Sequence, residues 1–93
     1  MLFVYIHTHP LEKCLADKPE ETRQMLLNAQ QASAQAGVKL LGIYGAPQEH
    51  TMFAILEADD FAAASRAMIP MITWGTARLI PVLSAEQMLA LGT

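Results

Sequence analysis

The stretch from Val38 to Phe61, VKLLGIYGAPQEHTMFAILEADDF, decides the fold. Val38 to Tyr44 is aliphatic and aromatic, Gly45-Ala46-Pro47-Gln48-Glu49 interrupts it with turn formers, and Thr51 to Ala58 is apolar again. Two such runs joined by so short a connection predict an antiparallel hairpin. Asp59 or Asp60 then supplies a carboxylate to accept from the free N–H groups of a helix over Phe61 to about Ile69. Pro70, which lacks an amide proton, closes that helix.

Outward from this core, Pro19 opens an earlier helix at no cost in hydrogen bonds, and Glu20 and Glu21 complement its dipole. It runs to about Ala36, with Gly37 as the C-terminal cap. Thr22, Met25, Leu26, Ala29, Ala32, Ser33 and Ala36 recur three or four apart and form its inward stripe. Leu2 to Thr8 is rich in β-branched and aromatic residues and stops before Pro10, so it reads as strand one. Residues 10–18 form a polar loop, and Thr76 to Leu83, after a loop with Trp74 and Gly75, is strand four. Ser84 and Gln87 have the spacing of a capping box that opens a short C-terminal helix.

The order β-α-β-β-α-β predicts an α+β, ferredoxin-like domain over residues 1–93, with both helices on one face of a four-stranded antiparallel sheet. The other face is expected to be polar in a monomer. Instead, Met52, Ala54 and Leu56 alternate with Phe53 and Ile55, Val4 and Ile6 with Phe3 and Tyr5, and Leu79 with Ile80 and Val82. Both faces are apolar, which predicts a homodimer joined sheet to sheet. Apolar residues make up 53% of the chain and charged ones 16%, a surplus that one small core does not absorb.

The net charge is −3, and Lys13, Lys18, Arg23, Lys39, Arg66 and Arg78 are scattered, which argues against nucleic acid as a partner. The apolar run from Met1 to Ile6 is too short to span a membrane and lacks the basic segment and cleavage site of a signal peptide, so a cytoplasmic protein is expected. A reducing compartment keeps the single cysteine, Cys14, as a thiol.

From Tyr44 through Glu57-Ala58-Asp59-Asp60-Phe61, an aromatic, a turn, an apolar strand ending in Glu and an Asp-led helix succeed one another. In this the chain resembles the dimeric α/β-barrel superfamily, and within it the GYD-domain proteins. Where those carry Gly-Tyr-Asp, this chain reads Glu49-His50-Thr51. The resemblance implies the fold and the dimer. It leaves the activity open, because that superfamily includes cofactor-free monooxygenases, isomerases and haem proteins.

The chemistry concentrates near the N-terminus. Side chains two apart on a strand share a face, so His7 and His9 can grip one ion, with Cys14 as a third ligand. Imidazole and thiolate together favour copper or zinc over magnesium or calcium. Two His and one Cys leave a position for water, a substrate, a methionine, His50 or Glu57. The bland alternative is a pair of hydrogen-bonded strand-end histidines and an incidental loop cysteine. The six methionines show no copper-type repetition.

Glu57 invites an ion pair with Arg78 on strand four, or a role as general base. Tyr5, Tyr44, His50 and Trp74 are candidates for lining a small-molecule pocket, with core packing as the plainer reading. Three functions follow in order: a homodimeric copper or zinc protein using His7, His9 and Cys14; a cofactor-independent monooxygenase or isomerase in which His7, His9, His50 or Glu57 moves a proton; and a non-catalytic structural or regulatory dimer.

Overall fold

In the computed structural model, which describes residues 1–92, strand β1 (Leu2–Thr8) is the sheet's inner organiser. It pairs antiparallel with β3 (Thr51–Glu57) on one side and β4 (Thr76–Val82) on the other, and β2 (Lys39–Ala46) pairs with β3 to give the order β2-β3-β1-β4. Between them lie α1 (Pro19–Gln35) and α2 (Phe61–Ile72), and α3 (Ala85–Leu91) follows β4. The chain is α+β with a ferredoxin-like arrangement.

Local chemistry sets the element ends. Pro19 stands in the first turn of α1, and Gly37, just past its C-terminus, takes φ +70°, which a residue without Cβ adopts readily. Asp60 accepts from the Ala63 N–H at 2.8 Å and caps α2. Ser84 and Gln87 exchange side-chain and backbone hydrogen bonds as a capping box at α3. Pro70 does not close α2 as expected; the helix continues through it to Ile72. The ring leaves only the Arg66 carbonyl without its helical partner, on an exposed residue where water can serve it. Continuation also places Met71 beside Met68, both fully buried.

Strand parity divides the sheet's faces. Phe3, Tyr5 and His7 point under the helices with Ala54, Leu56, Met68, Met71, Met25 and Ala29. Leu2, Val4 and Ile6 point to the opposite face, where they align with Phe53, Ile55, Ile80 and Val82. No helix covers that second face among the described residues, and Tyr44 and Phe53 on it are exposed by 58% and 36%.

The register overturns the expected Glu57–Arg78 ion pair. Glu57 stands opposite Leu2, whereas Arg78 stands opposite Ile6, so the two charges sit at opposite ends with β1 between them. Both side chains are exposed and solvated.

Candidate functional site

Because strand β1 alternates faces, the residues after Tyr5 on the helix side are His7 and then His9. The histidines therefore lie beneath the helices and not on the open face. The β1–β3 register continues one step past the strands: Thr8 faces Thr51, and the His9 N–H donates to the His50 carbonyl at 3.0 Å. His9 and His50 are thus cross-strand neighbours, with ring centroids 5.5 Å apart. His50 follows the short 3₁₀ turn Pro47–Glu49 and takes a left-handed conformation, φ 49° and ψ 39°.

Cys14 arrives by a second 3₁₀ turn, Leu11–Lys13, begun by Pro10. Its N–H donates to the Leu11 carbonyl at 3.1 Å, which folds the loop back toward β1. One donor atom each from His9, Cys14 and His50 lies within 4.8 Å of the others, and all three residues are half-buried. Gly75 secures this arrangement from below. A Cβ there would collide with the Thr8 carbonyl oxygen and stand 2.8 Å from His9 Cα, so only glycine lets the α2–β4 loop lie this close to the end of β1.

His7 stands apart from the three. Its ring is 5.3 Å from that of His9, and its Nδ1 meets the Tyr5 hydroxyl at 3.3 Å. Of the sequence-derived ligands, the structure therefore brings His9 and Cys14 together with His50 and places His7 behind them. Burial first, and the nearby His9 second, push the His7 pKa below its usual value, with the Met71 carbonyl pulling weakly the other way. Burial and then the His50 charge lower that of His9. Burial pushes the Tyr5 phenol up to about 12, so it keeps its proton. His7 Nε2, His9 Nε2 and His50 Nδ1 are buried without a hydrogen-bond partner.

His7, His9 and Cys14, but neither His50 nor Tyr5, border a cavity of about 660 Å³ between α1 and the sheet. They line it together with Lys13, Thr22, Arg23, Gln30 and Thr51, while Leu15, Met25, Leu26, Met52 and Trp74 give it apolar walls. Trp74 lies where a pocket residue was expected. Tyr5 sits behind His7 in the core, and Tyr44 and Glu57 point to or lie on the other face, away from the cavity. The aliphatic walls were not anticipated, because Leu15 comes from a loop and Met52 reads as ordinary strand core.

Chemically, the arrangement offers two imidazoles and a thiol able to surround one ion, beside a third, buried imidazole. No helix of the described residues is long and apolar enough to cross a membrane. No curated protein matches the chain. A family model described as a domain of unknown function, DUF3303, matches residues 1–93, and the chain belongs to that family.

Proposed function

We propose that the protein is a small homodimer that binds a transition-metal ion, zinc or copper, at His9, Cys14 and His50. The observation that carries this reading is the meeting of their three donor atoms within 4.8 Å. Bonds of about 2.0–2.3 Å to a tetrahedral ion need donors about 3.3–3.6 Å apart, so a contraction of roughly 1 Å suffices. Both turns that carry Cys14 and His50 are short and lie at the surface, where such an adjustment is easily made. The unpartnered ring nitrogens of His9 and His50 support the same reading, since a buried polar atom without a partner is costly.

Three protein ligands leave a fourth coordination position, as in sites that exchange ligands or activate water. A bound zinc ion supplies Lewis acidity, and copper adds electron transfer. A cytoplasmic setting would keep Cys14 reduced and able to bind as the thiolate. The dimer is supported by the apolar, helix-free face of the sheet, and by the dimeric α/β-barrel and GYD-domain resemblance.

The test is metal analysis of untagged protein after supplementation with zinc or copper. About one ion per chain is expected in wild type, and a large loss in His9→Ala, His50→Ala and Cys14→Ser, with His7→Leu retaining the ion. Sub-stoichiometric metal in wild type overturns the metal reading. Light scattering that gives a 10.2 kDa species at micromolar concentration overturns the dimer.

A cofactor-independent monooxygenase or isomerase acting on a small aromatic or organic substrate is the second reading. It is favoured by His7, 1% exposed at the cavity wall and held neutral by burial, where it can relay a proton. Turnover that survives removal of Cys14 and His50 would separate it from metal-dependent chemistry.

A further inference from the structure

The cavity beneath α1 joins apolar walls to fixed charge of one sign. None of the chain's nine Asp and Glu residues lines it, whereas two of its six Lys and Arg residues do, Lys13 and Arg23. His7 and His9, also in the lining, stay neutral above the usual 6.5 because burial lowers both pKa values. In a chain with a net charge of −3, such a lining reverses the sign locally.

Neither cation is held firmly by a partner. Lys13 Nζ donates to the Thr73 carbonyl at 3.5 Å, the outer limit of a hydrogen bond, between the two loops that frame the mouth. Arg23 stands 4.0 Å from Glu20, with the two side chains 70% and 82% exposed, and an ion pair so solvated opens readily. Counting Glu20 against the two cations leaves one positive charge, which suits a carboxylate better than a doubly charged phosphate. The hydroxyls add little for an anion. Thr22 Oγ1 meets the Leu15 and Lys18 carbonyls at 2.9 and 3.0 Å, and Thr51 Oγ1 donates to the Glu49 carbonyl at 2.8 Å.

We propose that this cavity binds a small carboxylic acid with an apolar body, its carboxylate held at the mouth by Lys13 and Arg23 and its body lying against Leu26, Met52 and Trp74. The volume, about 660 Å³, is that of sites for small organic molecules, and the apolar walls supply the affinity that two exposed cations alone do not. Lys13 and Arg23 are not metal donors, so the site stands whether or not an ion binds.

Octanoate and octylammonium, equal in length and opposite in charge, test it. The chain's net charge favours the ammonium, so a preference for the carboxylate has to come from the site. Trp74 is the only tryptophan and lines the cavity, so its indole N–H resonance reports occupancy. Titrations in chelator keep metal ligation of the carboxylate out of the readout.

Octanoate is expected to shift Trp74 and to bind about tenfold more tightly than octylammonium. Lys13→Met and Arg23→Met should each weaken octanoate about threefold, and together about tenfold, without weakening octylammonium. Both side chains are exposed, so these changes spare the core. On wild type, raising sodium chloride from about 20 mM to about 500 mM should weaken octanoate as well, a readout that needs no variant. Octylammonium binding as tightly as octanoate, octanoate affinity unchanged by the double substitution or by salt, or no Trp74 shift below the micellar concentration of octanoate each overturns the proposal.

Discussion

The two faces of the sheet are made from alternate residues of the same strands, and both are apolar. Phe3, Tyr5 and His7 are 2% exposed or less under the helices, whereas Leu2, Val4 and Ile6, their immediate neighbours, are only half-buried on the opposite face. The covered face also admits polar chemistry: three histidines, a cysteine and a cavity lie on that side or at its end. The open face has polar groups only at its edges, with Arg78 and Glu57 at opposite ends. Covering one face completes a core and a site inside a single chain. The other face has no such cover from α1 or α2.

Truncation should separate the faces most strongly. Phe3→Ala removes a fully buried ring and is expected to cost about 3–5 kcal/mol in urea unfolding, irrespective of protein concentration. If the open face is a dimer interface, Ile6→Ala should cost less and its loss should shrink as the protein is diluted, because it weakens association and spares the core. Equal losses at every concentration would erase the distinction between the faces.

Glycine substitutions sharpen the same contrast. Gly75→Ala drives a Cβ into the backbone of Thr8 and His9, which cannot swing aside, and should cost about 1–3 kcal/mol while lowering zinc affinity as His9 shifts. On the open face, a Cβ at Gly42 meets only the far end of the Tyr44 ring, with Oη at 2.6 Å. That ring is exposed and can rotate away, so Gly42→Ala should cost well under half as much. Thermal unfolding of the two variants side by side decides the ranking.

His50→Gly isolates the site from the fold. Glycine accepts φ 49° without strain but adds freedom to the unfolded chain, so the metal-free variant should stay within about 1 kcal/mol of wild type. Its zinc binding should nevertheless fall sharply. Calorimetric zinc titration beside urea unfolding checks both. Unchanged zinc affinity would remove His50 from the ligand set.

Much of the architecture was legible because it rests on local chemistry. Gly37, Asp60 and the Ser84–Gln87 pair end or begin helices where their residue types say they should. The hairpin between β2 and β3 follows from two apolar runs and a turn. What stayed hidden depends on register. His50 joins His9 only because β1 and β3 align Thr8 with Thr51, a long-range pairing that no local pattern specifies. The same alignment, with β1 between β3 and β4, separates Glu57 from Arg78. Strand alternation puts His7 and His9 on one face, but which face waits on where the helices dock. Pro70 shows the converse case, in which burial of Met71 outweighs a local breaker.

Acid should expose the price of placing histidines on the covered side. Burial lowers the pKa of His7 and of His9 in the folded protein, while in the unfolded chain both return to the usual 6.5. Above that value neither state carries the charge and the stability is fully present. As the pH falls through 6.5, the unfolded chain takes up protons that the fold resists, and stability declines until the lower folded-state values are reached. Metal-free protein should therefore lose urea resistance between about pH 7.5 and about pH 5.5, above the range where most carboxylates titrate. The open face carries no histidine, so an Ile6→Ala protein should show the same slope, whereas a His7→Leu/His9→Asn protein should be flatter. A flat profile in wild type would mean that these imidazoles are solvated and that the covered face is wetter at its histidine end than its packing implies.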